Sequence, residues 1–343
     1  MILISFGTRP EFIKIKPLIE AFKGKIPYKL LFTGQHVDLL SNIEGDIHKL
    51  TIEDGPNRLD SIVSSVMNKD AIFDGVDAVL VQGDTTSVFA VALAAFHRKI
   101  KIIHLEAGLR TFNKDHPYPE EFNRRAVSVM ADIHLSPTEL CSDNLIKERV
   151  DGKIFTVGNT VLDNLIHIQP EYSNKIVITM HRRENHHIIP DWFRAFDKLA
   201  KENPQYEFII PLHPNPNVQK HRDILKHVKV VEPMDYDNFI ELLSKARLVI
   251  TDSGGLQEES SFFNKKCIVC REATERVEGM GTFAFMSSPD KVEDDFYAMI
   301  DDYIPNDTCP YGDGKSAERI SGIIYFSKLV KFFECHSIVH FIP

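Results

Sequence analysis

The chain begins Met1-Ile2-Leu3-Ile4-Ser5-Phe6-Gly7-Thr8-Arg9-Pro10-Glu11, and this stretch sets the pattern for the whole fold. Its apolar run predicts a buried strand. Gly7 then permits a tight turn, and Pro10 suits the first turn of a helix whose apolar positions recur at helical spacing from Phe12 to Phe22. The sequence therefore starts with a strand, a turn and a helix.

The same strand-then-helix order recurs through almost the whole chain. Apolar runs predict further strands at 28–32, 78–81, 101–105, 133–135, 154–157, 176–180, 208–212, 228–231, 248–251 and 267–269. Helical spacing predicts helices at about 87–96, 119–131, 139–149, 190–202, 218–226, 237–245 and 256–263. Such alternation favours parallel sheets with helices on both faces.

The length of 343 residues corresponds to about two domains of roughly 150 residues each. A polar, proline-containing stretch at 169–174 is typical of a linker. We therefore expect an α/β protein with two doubly wound, Rossmann-like domains that face a central cleft, the first over 1–169 and the second over 170–315. A further helical pattern at about 316–333 has an apolar face that needs a packing partner.

The charge balance argues against nucleic acid as a partner. Lys and Arg number 40 and Asp and Glu 49, which gives a net charge of −9. Both halves are mildly acidic and lack the basic surplus that phosphate-backbone binding needs. No membrane partner is expected either, because the longest apolar run, 89–96, is far shorter than the ~20 residues that span a bilayer.

The chain start lacks the basic segment and the small-residue cleavage site of an export signal, which predicts a cytoplasmic location. In that compartment cysteines are expected to be reduced thiols, here Cys141, Cys267, Cys270, Cys309 and Cys335. Cys267 and Cys270 have the spacing of a redox pair. A redox pair opens a helix, however, whereas these two lie in an apolar strand pattern, so a packing role is predicted.

The strand-to-helix junctions are the candidate site, because ligands of open α/β sheets bind beyond the carboxyl ends of the strands. Arg9 lies at the first junction, where free helix amides already favour an anion; a surface arginine is the alternative. Asp84 follows the third strand, Glu106 follows the fourth, and Glu120 opens the next helix. Taken one at a time, Asp84 stands where a helix N-cap is expected, and Glu120 stands in a first helical turn, where the helix dipole favours acidic residues. Glu106 has no such capping role. Together, the three carboxylates are predicted to converge at one sheet edge and supply acid and base groups.

The strand ends of the second half carry histidines and arginines. His181 follows its first strand beside Arg182 and Arg183, and His213 follows its second strand. This arrangement favours phosphate and sugar contacts. Metal ligation is not indicated, because neither His181 nor His213 lies in an H-x-x-x-H or H-E-x-x-H pattern or in a Cys/His quartet.

The stretch 251–259, TDSGGLQEE, combines a strand end, small residues and a helix start. Ser253 and Gly254 leave backbone N–H groups uncovered, which is typical of an anion cradle. Glu259, one turn further on, is placed to accept hydrogen bonds from ribose hydroxyls. A capped helix with an acidic first turn is the alternative.

Eleven motifs occur in a fixed order along the chain: FGTRPE (6–11), TGQH (33–36), GDTTS (83–87), HLEAGLRT (104–111), PYPEEFNR (117–124), VGNTVLD (157–163), HRREN (181–185), HPNPNV (213–218), TDSGGLQEE (251–259), TER (274–276) and PYGDGKSAERI (310–320). Because it carries all these motifs, the chain resembles the non-hydrolysing UDP-N-acetylglucosamine 2-epimerase family, and the resemblance extends from residue 1 to about residue 320. The resemblance implies the two-domain fold shared with GT-B glycosyltransferases, with a nucleotide sugar in the cleft. It also implies that the C-terminal helix crosses back to pack on the first domain.

The resemblance implies an isomerase that interconverts UDP-GlcNAc and UDP-ManNAc. UDP is eliminated to leave a bound 2-acetamidoglucal and is then added back with inversion at C2. The family needs no metal and no nicotinamide cofactor, its members are commonly homodimers, and its products enter nucleotide-sugar metabolism and polysaccharide biosynthesis.

The resemblance also implies roles for individual residues. The family's catalytic groups match Asp84, Glu106, Glu120 and His181. Its substrate-binding positions match Arg9, Lys14, Arg124, His213, Phe239, Ser253, Gly254, Glu259 and Arg276.

Three features depart from the family pattern. Gln35 and His36 match the loop through which substrate activates bacterial members, but Asp38 and Asn57 stand where glutamine-type partners are expected. Val277 follows the TER motif where proline is usual. The loops around 40–59 are short for the family.

Four other functions remain open on the sequence. The first is a 2-epimerase of a sister branch of the family, whose substrate is another UDP-2-acetamido sugar, either a 6-deoxy-hexose or a diacetamido-uronate. A hydrolysing 2-epimerase releases free N-acetylmannosamine, and its relatives depart from the FGTRPE and EAGLR patterns kept here. A GT-B glycosyltransferase has no need of carboxylates around C2, and a non-catalytic binder would leave the acid and base groups idle.

Overall fold

The computed structural model describes residues 1–34, 47–52, 55–300 and 307–329. The chain divides into two compact units. The first consists of Met1–Asn164 and the segment that starts at Gly312, and the second is Leu165–Tyr311. The sequence had suggested a division near residue 169, five residues further on.

The first unit is built on a parallel sheet with helices on both faces. Its strands are β1 Ile2–Phe6, β2 Tyr28–Phe32, β3 Ile47–Lys49, β4 Ala78–Gln82, β5 Lys101–Leu105, β6 Ile133–Ser136 and β7 Lys153–Thr156. Its helices within Met1–Asn164 are α1 Arg9–Phe22, α2 Arg58–Met67, α3 Thr86–His97, α4 Glu120–Met130 and α5 Glu139–Glu148. The strand order is β3-β2-β1-β4-β5-β6-β7, so the direction of winding reverses between β1 and β4. Ligands of doubly wound sheets bind at such a reversal, beyond the strand ends.

The second unit repeats this topology. Its strands are β8 Lys175–Thr179, β9 Glu207–Pro211, β10 Lys229–Val231, β11 Ala246–Thr251, β12 Lys266–Val269 and β13 Ala284–Met286. Its helices are α6 Ile189–Glu202, α7 Pro216–Gln219, α8 Tyr236–Ser244, α9 Gly254–Phe262 and α10 Val292–Ile300. The strands are parallel in the order β10-β9-β8-β11-β12-β13, which places the reversal between β8 and β11. The predicted fold class, α/β with two Rossmann-like domains, is confirmed.

The last described helix, α11 Ser316–Leu329, belongs to the first unit. Ile320 and Ile324 lie in the same buried cluster as Leu18 and Phe22 of α1. The carboxylate of Asp163 accepts hydrogen bonds from the first backbone amides of α11, Ser316 at 3.2 Å and Ala317 at 2.8 Å. These contacts seat the apolar face of α11 on α1. Residues 330–333, which the sequence assigns to the same helix, lie outside the described residues.

The helix predicted at 218–226 is wrong in extent. The chain forms only the short α7, followed by a single 3-10 turn at Arg222–Ile224. The carboxylate of Asp197 on α6 accepts hydrogen bonds from the backbone amides of Lys226 and His227, both at 2.6 Å. A side chain of α6 therefore takes the amides that a longer helix would have used.

The packing role predicted for Cys267 and Cys270 is confirmed. Both thiols are fully buried and free, and Cys270 packs in the main apolar cluster of the second unit. Burial raises the pKa of both thiols above its usual value. No helix in the described part of the chain combines the length and the apolar character that a membrane span requires.

Candidate active site

Glu106, directly after β5, is held by an ammonium group and two amides. Lys14 on α1 donates to both carboxylate oxygens, at 2.6 and 2.7 Å. Gln82 at the end of β4 donates to the same carboxylate, as does Asn159 at 3.3 Å. The Glu106 side chain is only 6% exposed, so its charge is compensated within the protein.

The backbone at Glu106 has φ +65°, the left-handed region that a residue with a side chain seldom adopts. This conformation aims the carboxylate back at the end of β4. There, a Cβ added to Gly83 would lie 3.6 Å from Oε2 of Glu106. Unfavourable backbone conformations of this kind are concentrated at functional sites.

Asp84, at the reversal beyond β4, pairs with Arg124 of α4. The guanidinium donates to Oδ2 of Asp84 from Nε at 3.0 Å and from Nη2. The side-chain amide of Asn123 donates to the Asp84 carbonyl at 2.9 Å. The alternative role of Asp84 as a helix N-cap is wrong, because the cap of α3 is Thr85, whose hydroxyl accepts from the Val88 amide. The carboxylate of Asp84 is thus available to the site.

Two buried carboxylates support this edge of the sheet, and the sequence analysis did not single them out. Glu121, 0% exposed, accepts from the backbone amides of Thr111 and Phe112 at 3.0 Å and from Arg124 at 3.2 Å. It therefore fixes both Arg124 and the loop before α4. The signal was present, since Glu121 stands next to Glu120 in the PYPEEFNR motif.

Glu11 is the other supporting carboxylate. It accepts from the backbone amides of Gly7 and Thr8 and, at 2.7 Å, from the hydroxyl of Thr85. Burial raises the pKa of Glu11, and the neighbouring charge of Asp84 adds to that rise, against the hydrogen bonds it accepts. Glu11 therefore ties the loop after β1 to the loop after β4.

Arg9 and Glu120 complete the candidate residues of the first unit. Arg9 is the first residue of α1 and is exposed, and Glu120 is the first residue of α4 and is half-buried. Asn123 and Arg124, one turn after Glu120, bind Asp84. The strand ends of β1, β4 and β5 and the start of α4 therefore carry the predicted carboxylates at one edge of the sheet. Gln35 and His36 lie outside the described residues.

In the second unit, His181 lies beside Asp252 at the reversal between β8 and β11. Nδ1 of His181 is 3.2 Å from Oδ1 of Asp252, which is completely buried. The ring of His213 stacks on that of His181, with centroids 5.5 Å apart and planes inclined by 20°. Burial lowers the pKa of His213, and the adjacent His181 lowers it further. The predicted histidines thus come together, and Asp252 is a partner that the sequence analysis missed, although it opens the DSGG stretch.

Arg276 lies against the first residue of α9. A Cβ added to Gly254 would approach Nη1 of Arg276 to 3.0 Å, and Ser253 immediately precedes the helix. Glu258 accepts from Nε of Arg276 at 2.8 Å, and Glu275 accepts from Nη1. A guanidinium beside free helix amides can bind a phosphate group.

A second buried arginine belongs to the same network of ion pairs. Arg271 donates to Glu275 at 3.0 Å and to Glu184 at 2.9 Å. Burial lowers the pKa of Arg182, and the charge of Arg271 lowers it further. The neighbouring Arg183 is exposed.

Glu259 and Phe239 lie on α9 and α8 of the same unit. Glu259 is 4% exposed and accepts a hydrogen bond from the Tyr236 hydroxyl at 2.8 Å. Burial, and then the charge of Glu259, raise the pKa of Tyr236, so the phenol stays a donor. Phe239 is half-buried on α8, the helix that carries Tyr236. Within the described residues, no group of three or more His, Cys, Asp or Glu side chains could hold a metal ion.

Two parallel Rossmann-like sheets, each with charged side chains at its strand ends, define an enzyme of the GT-B-like class. The comparison with known families is more specific: the UDP-N-acetylglucosamine 2-epimerase family matches residues 21–325. The chain belongs to this family of isomerases, which confirms the resemblance drawn from the sequence.

Known members are similar along nearly their whole length. UDP-N-acetylglucosamine 2-epimerase of Campylobacter jejuni is 34% identical over 377 aligned positions, which cover 95% of this chain and 98% of the relative. The solved structure of the Neisseria meningitidis UDP-GlcNAc 2-epimerase bound to UDP-GlcNAc has a TM-score of 0.83 and 35% identity, over 94% of this chain and 99% of that one. The S. aureus MnaA structure with UDP has a TM-score of 0.84 and 32% identity, over 99% of both chains.

Proposed function

We propose that the chain is a non-hydrolysing UDP-N-acetylglucosamine 2-epimerase, which interconverts UDP-GlcNAc and UDP-ManNAc. The observation that carries this proposal is the pair of carboxylates at neighbouring strand ends. Glu106 is held by Lys14, and Asp84 is held by Arg124. Acid and base groups in this arrangement suit proton transfer at a sugar carbon.

The chemistry of the substrate explains the need for several such groups. C2 of the sugar carries no adjacent carbonyl, so its proton is not acidic enough for simple removal. In the proposed reaction a protein base takes the C2 proton while the bond from C1 to the diphosphate oxygen breaks. The C2–H electron pair forms the C1=C2 double bond, and the C1–O pair leaves with UDP. UDP then adds back to C1, and a proton is delivered to the opposite face of C2.

Acid and base roles in these steps fall to Asp84, Glu106, Glu120 and His181. Proton delivery to both faces of C2 requires more than one such group. Lys14 and Arg124 hold two of the carboxylates in place, because each supplies charge-assisted hydrogen bonds.

The second unit is proposed to bind the UDP moiety. Arg276 and the amides that follow Ser253 stabilise the diphosphate, whose negative charge grows as the C1–O bond breaks. Glu259 accepts from the ribose hydroxyls, and Phe239 lines the nucleotide pocket. Further polar contacts to the substrate are assigned to Arg9 and His213.

We also propose that the enzyme is a homodimer. Exposed apolar side chains support this: on α4, Phe122 is 55% and Val129 is 70% exposed, and on the adjacent α3 Phe96 is 54% exposed. Large apolar side chains exposed on neighbouring helices are typical of a protein contact. Light scattering should give a dimer for the native chain and a monomer for Phe122→Asp. Tyr297→Asp, on α10 of the other unit, should leave the mass unchanged. The proposal extends to action in the cytoplasm, on a pathway that supplies polysaccharide biosynthesis.

Proton NMR of UDP-GlcNAc with the protein in deuterated water tests the function. Without added metal or NAD, UDP-ManNAc should form and deuterium should enter at C2. Free N-acetylmannosamine would instead identify a hydrolysing epimerase. Unchanged UDP-GlcNAc together with inversion of a 6-deoxy or diacetamido-uronate substrate would identify a sister branch. Transfer of the sugar to an added acceptor would identify a glycosyltransferase.

A further inference from the structure

Asp252 is a fully buried carboxylate whose two oxygens have different partners. Oδ2 accepts hydrogen bonds from the backbone amides of His181 at 2.9 Å and Arg182 at 2.8 Å, and from the side-chain amide of Asn185 at 3.1 Å. Oδ1 faces Nδ1 of His181 at 3.2 Å. One carboxylate thus binds the backbone of His181 through Oδ2 and presents Oδ1, a buried oxygen with no other partner among the described residues, to the ring of His181.

The sheet topology creates this contact. β8 and β11 are paired in register up to Thr179 and Thr251, so the residues that follow the two strands lie side by side. The backbone amide of Asp252 continues the pairing by donating to the Thr179 carbonyl at 3.3 Å. Asp252 is therefore rigidly placed next to the loop that carries His181.

Asp252 is ionised in this setting. Burial alone raises the pKa of its carboxyl group, but the hydrogen bonds and charge of His181 and the backbone amides outweigh burial and hold the pKa below its usual value. An ionised carboxylate only accepts hydrogen bonds. The 3.2 Å approach of Oδ1 to Nδ1 of His181 therefore favours the tautomer with the proton on Nδ1, which leaves Nε2 as the nitrogen that can exchange one.

We propose that Asp252 is a positioning residue that holds His181 in the Nδ1-protonated tautomer, so that Nε2 exchanges the proton with the substrate. This inference rests on the proposed epimerase function. Asp252 also compensates the positive charge that His181 acquires when Nε2 takes up a proton. Among the described residues, His213 from the loop after β9 and Asp252 after β11 face the ring of His181. Three further groups act on these two: Arg182 donates its backbone amide to Asp252, His186 is electrostatically coupled to His213, and Cys270 after β12 to Asp252.

His213 provides an internal reference. Its Nδ1 accepts a hydrogen bond from the Asn215 backbone amide at 3.2 Å, so its proton resides on Nε2. The two stacked rings are thus expected in opposite tautomers. Because burial and the adjacent His181 lower the pKa of His213, its ring stays neutral and keeps this tautomer.

Asp252→Asn tests the proposal with little change in shape. The Asn side-chain oxygen can accept from the amides of His181 and Arg182, which leaves its NH₂ group pointing at Nδ1 of His181. That nitrogen then becomes an acceptor, and the proton moves to Nε2. We expect kcat to fall between ~10²- and 10⁴-fold, as for a histidine locked in the wrong tautomer, with KM changed by less than ~3-fold. Thr179→Val, at the end of β8, is the matched control and should keep native kcat.

Nitrogen-15 NMR of the histidine rings reads the tautomer directly. The native protein should show His181 with its proton on Nδ1 and His213 with its proton on Nε2, and Asp252→Asn should switch only His181. Native kcat in Asp252→Asn overturns the proposal, as does a fall in kcat with the His181 tautomer unchanged. If Asp252→Asn fails to fold, the native spectrum still decides, since an Nε2-protonated His181 overturns the proposal.

A double variant separates action through His181 from a general structural effect. In a His181→Ala background, Asp252→Asn should lower kcat by less than ~2-fold further, because its target is already absent. A further loss of 10-fold or more counts against the proposal. The tautomer of His181 does not depend on which sugar is turned over. The NMR measurement therefore stays valid if the chain is not a UDP-GlcNAc 2-epimerase, and the failure of either proposal can be told from the failure of the other.

Discussion

The ammonium group of Lys14 lies 2.6 and 2.7 Å from the two carboxylate oxygens of Glu106, which is 92 residues further along the chain. This contact joins α1 to the end of β5 across the intervening β4. It also makes the charge state of Glu106 depend on one side chain of another element.

Lys14→Met should therefore inactivate the enzyme without unfolding it. Glu106 keeps its hydrogen bonds from Gln82 and Asn159 but loses the cation that holds it ionised. We expect kcat to fall by about 10²-fold or more, the usual effect of removing one preorganised electrostatic partner. Lys16→Met, two residues on at an exposed position of α1, is the control and should keep native kcat. Equal kcat for both variants would remove Lys14 from the mechanism.

Gly254→Ala should weaken UDP binding. The new Cβ would lie 3.0 Å from Nη1 of Arg276 and 3.1 Å from Oε1 of Glu275, so the guanidinium must move. We expect the Kd for UDP, measured by calorimetry, to rise about 10-fold, or roughly 1.4 kcal/mol. Gly255→Ala adds the same methyl group one residue on, where the described residues place no atom from outside the local helix backbone within 4 Å, and should change the Kd less than ~2-fold. If the two variants bind UDP alike, the contact with Arg276 does not govern the site.

Gly108→Ala should strongly destabilise the first unit. Gly108 has φ +91°, and an added Cβ would lie 2.1 Å from the carbonyl oxygen of Cys141. Gly75→Ala is the matched control, since it has φ +67° but open space around the Cβ. Backbone strain alone costs about 1–3 kcal/mol, so Gly75→Ala should lower the thermal midpoint by several degrees. Gly108→Ala should lower it by at least about 10 °C. Similar midpoints would show that the loop beside Cys141 yields without cost.

Acid should destabilise the protein partly through His104. Burial lowers the pKa of His104 to about 3, and its Nε2 lies 2.8 Å from the Gly83 carbonyl oxygen. Between the unfolded pKa of about 6.5 and the folded value, the unfolded chain binds more protons, so stability falls as the pH falls. One such histidine changes the free energy of unfolding by at most about 1.4 kcal/mol per pH unit.

His104→Gln keeps a donor for the Gly83 carbonyl but cannot titrate. Urea unfolding followed by circular dichroism should therefore show a shallower loss of stability from pH 6.5 to 4.5 than in the native protein. His97→Gln, at the exposed end of α3, should retain the native slope. An unchanged slope in His104→Gln would mean that His104 does not remain neutral in the fold.

The strands near the reversals were predictable because each is a continuous apolar run. β2 and β5 have the predicted bounds, and β4 and β6 differ by one residue. β3 and β13, three residues each, were missed. The equally short β10 was predictable because its apolar pattern extends one residue further, to Val228, whereas β3 has a single apolar residue. β13 was missed although residues 283–286 form an apolar run. α2 and α10 were also missed, since their apolar positions are diluted by serine in one and by acidic residues in the other.

Positions of site residues were predictable, whereas their partners were not. Asp84, Glu106 and His181 stand at strand ends, and the Rossmann topology gives such ends a shared edge. The pairing of Asp84 with Arg124 spans 40 residues, and that of His181 with Asp252 spans 71. Such contacts depend on strand order, which local patterns do not encode. For this reason the sequence alone did not single out Asp252 or Glu11.

The left-handed backbone conformation of Glu106 bears on both the stability of the protein and its candidate active site. A residue with a side chain held at φ +65° stores about 1–3 kcal/mol of strain, and glycine there would relieve it. Glu106→Gly would also leave the ammonium group of Lys14 without its carboxylate partner, which offsets that gain. The side chain that strains the backbone is thus the one that keeps Lys14 paired.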